Sequence, residues 1–274
     1  MSELAAAKRG SGYRIDRPTM RVVLGDMRVP STDPGPGDRL PRFELPTIDG
    51  GCIDNEDLRR DGRPVLLVFG SRSCPVTESA APGLRSIHDR HGARIRVVVV
   101  NVREAHPGAR LPQPATLEEK FEHAVELGDH HGFEFEVAVD DLEGSLHRWF
   151  GPRPSSAYLV EPDGRIVFRA HWSNVTEALE EAVAAVAVGE DPPRGHIGHT
   201  ARAMVAMTGH ADDALRAAGS GAHRDTWRAA SPFGAMIAIS RLFRFLEPRQ
   251  RGRATMALLA GLVLAGTVIA VLAL

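Results

Sequence analysis

Three observations predict an α/β fold, a central mixed sheet flanked by helices. Short β-branched runs alternate along the chain with segments whose apolar residues recur at three- and four-residue spacing. Residues 97–100 are consecutive valines, the unbroken apolarity of a strand covered on both faces. Pro64-Val-Leu-Leu-Val-Phe-Gly-Ser-Arg-Ser-Cys74-Pro75 runs an apolar strand into a polar turn and delivers a cysteine where a helix begins.

Taken in order, Phe43 to Gly51 reads as a hairpin ahead of the core, closed by glycines at its turn. Strands are expected at 65–69, 95–102, 137–139, 157–160 and 166–169. Helices are expected at 77–91, 117–127 and 175–186, the second announced by the capping box Thr116-Leu-Glu-Glu119. Glu161-Pro-Asp-Gly164 joins the last two strands as a tight turn. This order, with a thiol at the first strand-to-helix junction, is the thioredoxin-like plan.

The chain has 274 residues, more than one ordinary domain needs, and divides into four parts. Residues 1–38 are polar, end in Pro-Gly repeats and read as a flexible leader. Residues 39–188 form the expected redox domain, and 189–253 an Ala-, His- and Arg-rich linker in which 236–246 has the character of an interfacial helix. Residues 254–274 hold no charge and, rising 1.5 Å per residue, would reach about 30 Å, the span of a bilayer core. With Arg241, Arg244, Arg249, Arg251 and Arg253 ahead of that run, the expectation is a single-pass C-terminal anchor holding the redox domain in the cytoplasm.

A net charge of −2 and 25% charged residues argue against a nucleic-acid surface. Two cysteines cannot make a disulfide framework, so Cys74 is read as a free thiol. At a helix N-terminus, unpaired N–H groups and the helix dipole favour the thiolate, Pro75 suits the first turn, and Arg72 offers further positive charge. Thr77 stands where a Cys-x-x-C turn has its second cysteine, so no dithiol can form within the turn. Cys52 is expected to be a packed small side chain, with a resolving role as the alternative. His196-Ile-Gly-His199, His210, His223 and the pair His130-His131 lack partners at matching sequence spacing, and no metal is expected.

Phe69-Gly-Ser-Arg-Ser-Cys74-Pro75, Arg103-Glu104-Ala105-His106-Pro107, the segment from Thr116 to Ala124 and Val137-Ala-Val-Asp140 together resemble the iodothyronine deiodinase family, over roughly residues 37–186. In that register Cys74 takes the place of the family's selenocysteine. The resemblance implies a thioredoxin-like fold and reductive removal of iodide from an aromatic ring, with the chalcogen attacking the halogen. It also implies no bound cofactor and an external thiol reductant, a thioredoxin or a low-molecular-weight thiol. His106 would carry the proton and Glu104 would orient it. Ser71, Arg72, Thr77, Asp140 and Pro154 are the supporting or substrate-binding candidates. Asp140 is equally readable as a turn cap, and Pro154 competes with Pro152 as the proline facing the thiol.

Three classes of function follow from these readings: a deiodinase-like thiol oxidoreductase acting on a small aromatic molecule, halogenated or not, in a chain able to form a homodimer; a one-cysteine peroxide reductase; and a non-catalytic membrane-anchored binding module. For the second, the loop Pro-x-x-x-Thr-x-x-Cys is half absent, with Leu67 and Ser71 at its first two marked positions.

Overall fold

The computed structural model describes residues 13–272, apart from residues 29, 31 and 154. The chain enters through helix α1 (Met20–Asp26), whose first turn is capped by Thr19, and then forms the two-stranded hairpin β1 (Glu44–Pro46) and β2 (Cys52–Asp54). Helix α2 (Asn55–Asp61) follows directly, its N-cap Asp54 accepting from the Glu56 and Asp57 N–H groups at 2.7 Å. The core continues as β3 (Val65–Gly70), α3 (Pro75–His91), β4 (Arg96–Asn101), α4 (Leu117–His131) and β5 (Glu136–Val139), then α5 (Ser145–Trp149), β6 (Ala157–Val160), β7 (Ile166–Ala170) and α6 (Thr176–Ala187).

The first five strands of the main sheet have the order β5-β4-β3-β6-β7, with β3, β4 and β5 parallel to one another, β6 antiparallel to β3 and β7 antiparallel to β6. Its central strand shows why apolarity is continuous there. Leu66 and Val68 face a core shared with Leu84, Ile87, Leu179 and Val183 of α3 and α6, while Val65, Leu67 and Phe69 face Leu45, Ile53, Leu58 and Phe150. Successive side chains of a strand alternate between faces, so a strand packed on both sides needs apolar residues at every position. The thioredoxin-like α/β plan expected from the sequence is the one observed, with element ends displaced by a few residues. Helix α4 runs on to His131 and closes on Gly132 in the left-handed conformation, and α5 is an element without a periodic signal.

The region expected to be a linker instead joins the core. His196–Ile197 forms β8, which adds to the sheet edge beside β7, and Thr200–Thr208 (α7), Ala211–Ala218 (α8), Ala222–Ala229 (α9) and Ser231–Ser240 (α10) follow. Ala203, Met207, Ala211, Leu215, Phe233 and Ile237 are buried in the same cluster as Leu66 and Cys74. Its small side chains let helices approach closely but leave little hydropathy contrast to read, which is why it looked like a linker. The leader also differs from expectation over its described part: Tyr13 is buried, its hydroxyl sharing a 2.9 Å hydrogen bond with His147 Nδ1.

Among the described residues no helix is long and apolar enough to cross a membrane. This corrects the expected spanning helix over 254–274 and the single-pass anchor built on it. The final helix α11 (Pro248–Leu272) begins before the uncharged run, and its first turns carry Arg249, Arg251 and Arg253. Those turns belong to the protein body. Thr255 is buried, Arg251 Nε donates to the Leu246 carbonyl at 2.8 Å, and Gly252 meets the Val205 carbonyl of α7 with no room for a side chain. The side chains of 266 and 268–272, and residues 273–274, lie outside the described residues.

Gly252→Ala tests that docking: a Cβ forced against backbone should cost about 1–3 kcal/mol, as overpacking does. A thermal unfolding midpoint equal to that of the parent chain would show that α11 does not rest on α7 in this way.

Candidate active site

Strand β3 ends at Gly70, where Thr77 of the next helix leans so close that its Oγ1 is only 2.9 Å from where a Cβ would stand. The chain then turns through Ser71, Arg72 and Ser73, the Cys74 N–H donating to the Ser71 carbonyl at 3.2 Å, and Pro75 opens α3. Cys74 is the N-cap residue, in extended conformation, and only 2% exposed. The thiol is therefore where the sequence expects it, at a helix start, but in a dry setting.

Its protonation follows from opposing effects. Burial pushes the Cys74 thiol up, the nearby Thr77 N–H and hydroxyl and Val76 N–H pull it down, and the negative charge of Glu104 pushes up again. Burial wins, so the thiol lies above its ordinary value. This reverses the expectation of a depressed pKa: the helix-start donors are present, but removing a thiolate from water outweighs them. Nor does Arg72 supply the second charge. Its guanidinium is buried against Glu78 at 3.0 Å and Glu126 at 3.6 Å, facing α4.

A carboxylate fastens the turn to the loop after β4. Glu104 is 1% exposed, and its Oε2 accepts from the Ser73 N–H at 2.9 Å and the Ser73 hydroxyl at 2.5 Å. The other oxygen pairs with His123 Nδ1 of α4 at 3.1 Å. Burial lowers the His123 pKa and the bond to Glu104 raises it, with a net upward shift. The Glu104 backbone is clasped by Gln113, which accepts from its N–H at 3.1 Å and donates to its carbonyl at 2.7 Å. Ser71 and Ser73 complete the seam, their hydroxyls accepting from the Ala105 and His106 N–H groups at 3.2 and 3.1 Å.

The structure separates two residues that the motif joins. Glu104 bonds Ser73 and His123, whereas His106 Nδ1 shares a 2.9 Å hydrogen bond with Thr226 Oγ1 of α9. Burial pushes the His106 imidazole down to about 4, against the upward pull of Glu104, so it is neutral near pH 7. Asp140 is a cap: its carboxylate, pushed up to about 6 by burial, accepts from the N–H groups of Asp141, Leu146 and His147 at 3.0, 3.2 and 2.9 Å. Pro154 lies outside the described residues. Cys52, expected to be packed, is exposed on β2, and both cysteines are free thiols.

Cys74, Glu104 and His106 line a cavity of about 360 Å³, together with Pro75, Val76, Arg103 and Trp172. The remaining walls come from both ends of the chain: Met20, Val23, Leu24 and Met27 of the α1 region, Met204 and Met207 of α7, and Ala230, Phe233 and Met236 around α10. It is a largely apolar chamber with the thiol at one side. Sequence reasoning missed Ser73, Gln113, His123 and Thr226. Ser73 sits inside the thiol turn and His123 on the buried face of α4, but their common partner is a matter of three-dimensional approach. No local signal marks Thr226.

Residues 36–169 match the model of the AhpC/TSA family. Among curated proteins, the methylamine utilization protein MauD of Methylobacillus flagellatus is 34% identical over 85 residues, 30% of this chain and 40% of its own. MauD of Paracoccus denitrificans is 35% identical over 77 residues, 27% of this chain and 38% of its own. The chain thus spans about two-fifths of the length of the curated relatives it matches. Among solved structures, a secreted disulfide oxidoreductase of Mycobacterium tuberculosis is similar with a TM-score of 0.41 at 18% identity, over 53% of this chain and 96% of its own. The narrower deiodinase likeness rests on the sequence motifs around Cys74, Glu104–Pro107, Thr116–Ala124 and Val137–Asp140. The segment that is similar to the AhpC/TSA family holds the parallel strands, the Cys74 turn and the Glu104 loop.

Proposed function

We propose that the chain is a one-cysteine thiol oxidoreductase that reduces a small apolar organic molecule held in the cavity beside Cys74. The observation that carries this reading is the thiol itself, at a helix start and lining an apolar chamber. The match to the AhpC/TSA family and the similarity to MauD support thiol redox chemistry. The cavity supports an apolar substrate over a hydrated one.

In the reaction we infer, the Cys74 thiolate attacks an electrophilic atom of the substrate, either iodine on an aromatic ring or the terminal oxygen of a hydroperoxide. The bond from that atom to the rest of the substrate breaks, and the departing fragment takes a proton. Sulfur is left as a sulfenyl iodide or sulfenic acid. One external thiol displaces iodide or water to form a mixed disulfide, and a second releases Cys74, so two thiols are oxidised as the substrate gains two electrons. Thr77 at the second position of the turn makes an external reductant necessary for this cycle. The iodinated-aromatic version follows the deiodinase likeness, and the peroxide version follows the family match. His106, neutral and tied to Thr226, serves in either case as a wall and hydrogen-bonding group.

Cys74→Ser should abolish turnover while the chain stays folded. In the parent, alkylation of Cys74 should follow a titration above the ordinary cysteine value of about 8.5, so that rate climbs with pH through the neutral range. A midpoint below that value, or activity in the serine variant, removes this account of the thiol.

Because the His106 imidazole is already neutral across pH 5–8, His106→Gln should leave the shape of the pH–rate profile unchanged. A limb that vanishes in the variant would mean that His106 titrates in the working enzyme.

Ala230→Phe fills the chamber. With a thiol reductant present, it should raise KM for an iodinated phenol or an aromatic hydroperoxide roughly tenfold or more, as pocket contacts do, while hydrogen peroxide is consumed as before. Equal KM values for the bulky substrates would place them outside the cavity.

A further inference from the structure

Away from the thiol, α3 and α4 bring a carboxylate and two imidazoles together. Glu78 of α3 and His130 and His131 of α4 each offer a ligand atom, and these atoms lie within 4.8 Å of one another. We propose that Glu78, His130 and His131 form a binding site for a divalent transition-metal ion of the zinc class.

Both imidazoles converge on the Glu78 carboxylate. His130 Nε2 stands 3.0 Å from Glu78 Oε1, and His131 Nε2 stands 3.8 Å from Glu78 Oε2, beyond hydrogen-bond reach. His131 is the informative member. Its side chain is 5% exposed and its Nε2 has no hydrogen-bond partner, although it is aimed at the carboxylate. Buried polar atoms are nearly always satisfied, and a cation between the nitrogen and the carboxylate would satisfy this one. Two imidazoles and a carboxylate suit zinc over magnesium or calcium, which prefer oxygen alone, and three protein ligands leave a position for water. Both histidines sit in the last turn of α4, where the helix dipole favours positive charge.

One group opposes the ion. Arg72 Nη1 donates to Glu78 Oε2 at 3.0 Å, and the metal has to displace it. Glu126 is already 3.6 Å from the same guanidinium and can keep it paired. Occupancy is thereby linked to the turn that carries Cys74, two residues beyond Arg72. The site itself is independent of the substrate proposed for the thiol.

Calorimetric titration of the full chain, freed of metal with a chelator, should show uptake of one zinc ion near neutral pH. His130→Ala, a change at a partly exposed position, and His131→Gln should each weaken binding roughly tenfold or more. Cobalt at the same site should give visible bands of a nitrogen–oxygen ligand set. No zinc uptake, uptake unchanged in His130→Ala, or a thiolate-to-cobalt charge-transfer band, which would move the ion to a cysteine, overturns the proposal.

Discussion

The candidate site depends on one buried carboxylate. Strands β3 and β4 are parallel neighbours, so the turns that leave their C-terminal ends emerge side by side, and nothing in the ladder fixes how those turns lie against each other. Glu104 does so by accepting two hydrogen bonds from Ser73 with one oxygen and pairing His123 with the other. A charge this deep is tolerable only when its lone pairs are filled. Satisfying it therefore requires the thiol turn, the loop to Pro107 and helix α4 to be in place together. Removing any one partner leaves the carboxylate buried and short of donors.

Around that anchor, the chemistry at Cys74 is a contest between field and solvation. The start of α3 aims backbone and hydroxyl donors at the sulfur, as a reactive thiol requires, yet the apolar chamber that would select the substrate also withdraws the water that would stabilise a thiolate. The same dryness sets the state of His106. A residue that reads as a proton carrier in a five-residue motif is held neutral by helices that arrive much later in the chain. Selectivity for an apolar guest and ready ionisation at neutral pH are thus opposed here, and the structure favours the first.

Much of this was legible in the sequence, for identifiable reasons. The valines of β4 and the apolar run before Gly70 carry the period of strands buried on both faces, and Cys74-Pro75 marks a helix start by local chemistry alone. The Glu104-Ala-His-Pro107 motif pointed to a loop that lines the cavity, but it paired Glu104 with His106, because Ser73 and His123 reach Glu104 only through space. The region after 188 was opaque: alanine and glycine pack helices by closeness of approach, as Gly252 does against Val205, and closeness leaves no periodic trace. At the C-terminus, an uncharged run was read by length alone. Its continuity with the arginine-bearing turns docked on α7 appears only once the helix is seen as a whole.

The chamber beside Cys74 is walled by α1 on the early side of the chain and by α7, α9 and α10 on the late side, around a sheet whose strands β3 to β7 pair without them. These contacts join the most distant parts of the sequence and carry the largest loop-closure entropy, so they form after the local pairings. During synthesis the thiol turn is thus assembled while the later walls are still inside the ribosome. Cys74 passes through an interval of exposure that closes once α7, α9 and α10 have docked.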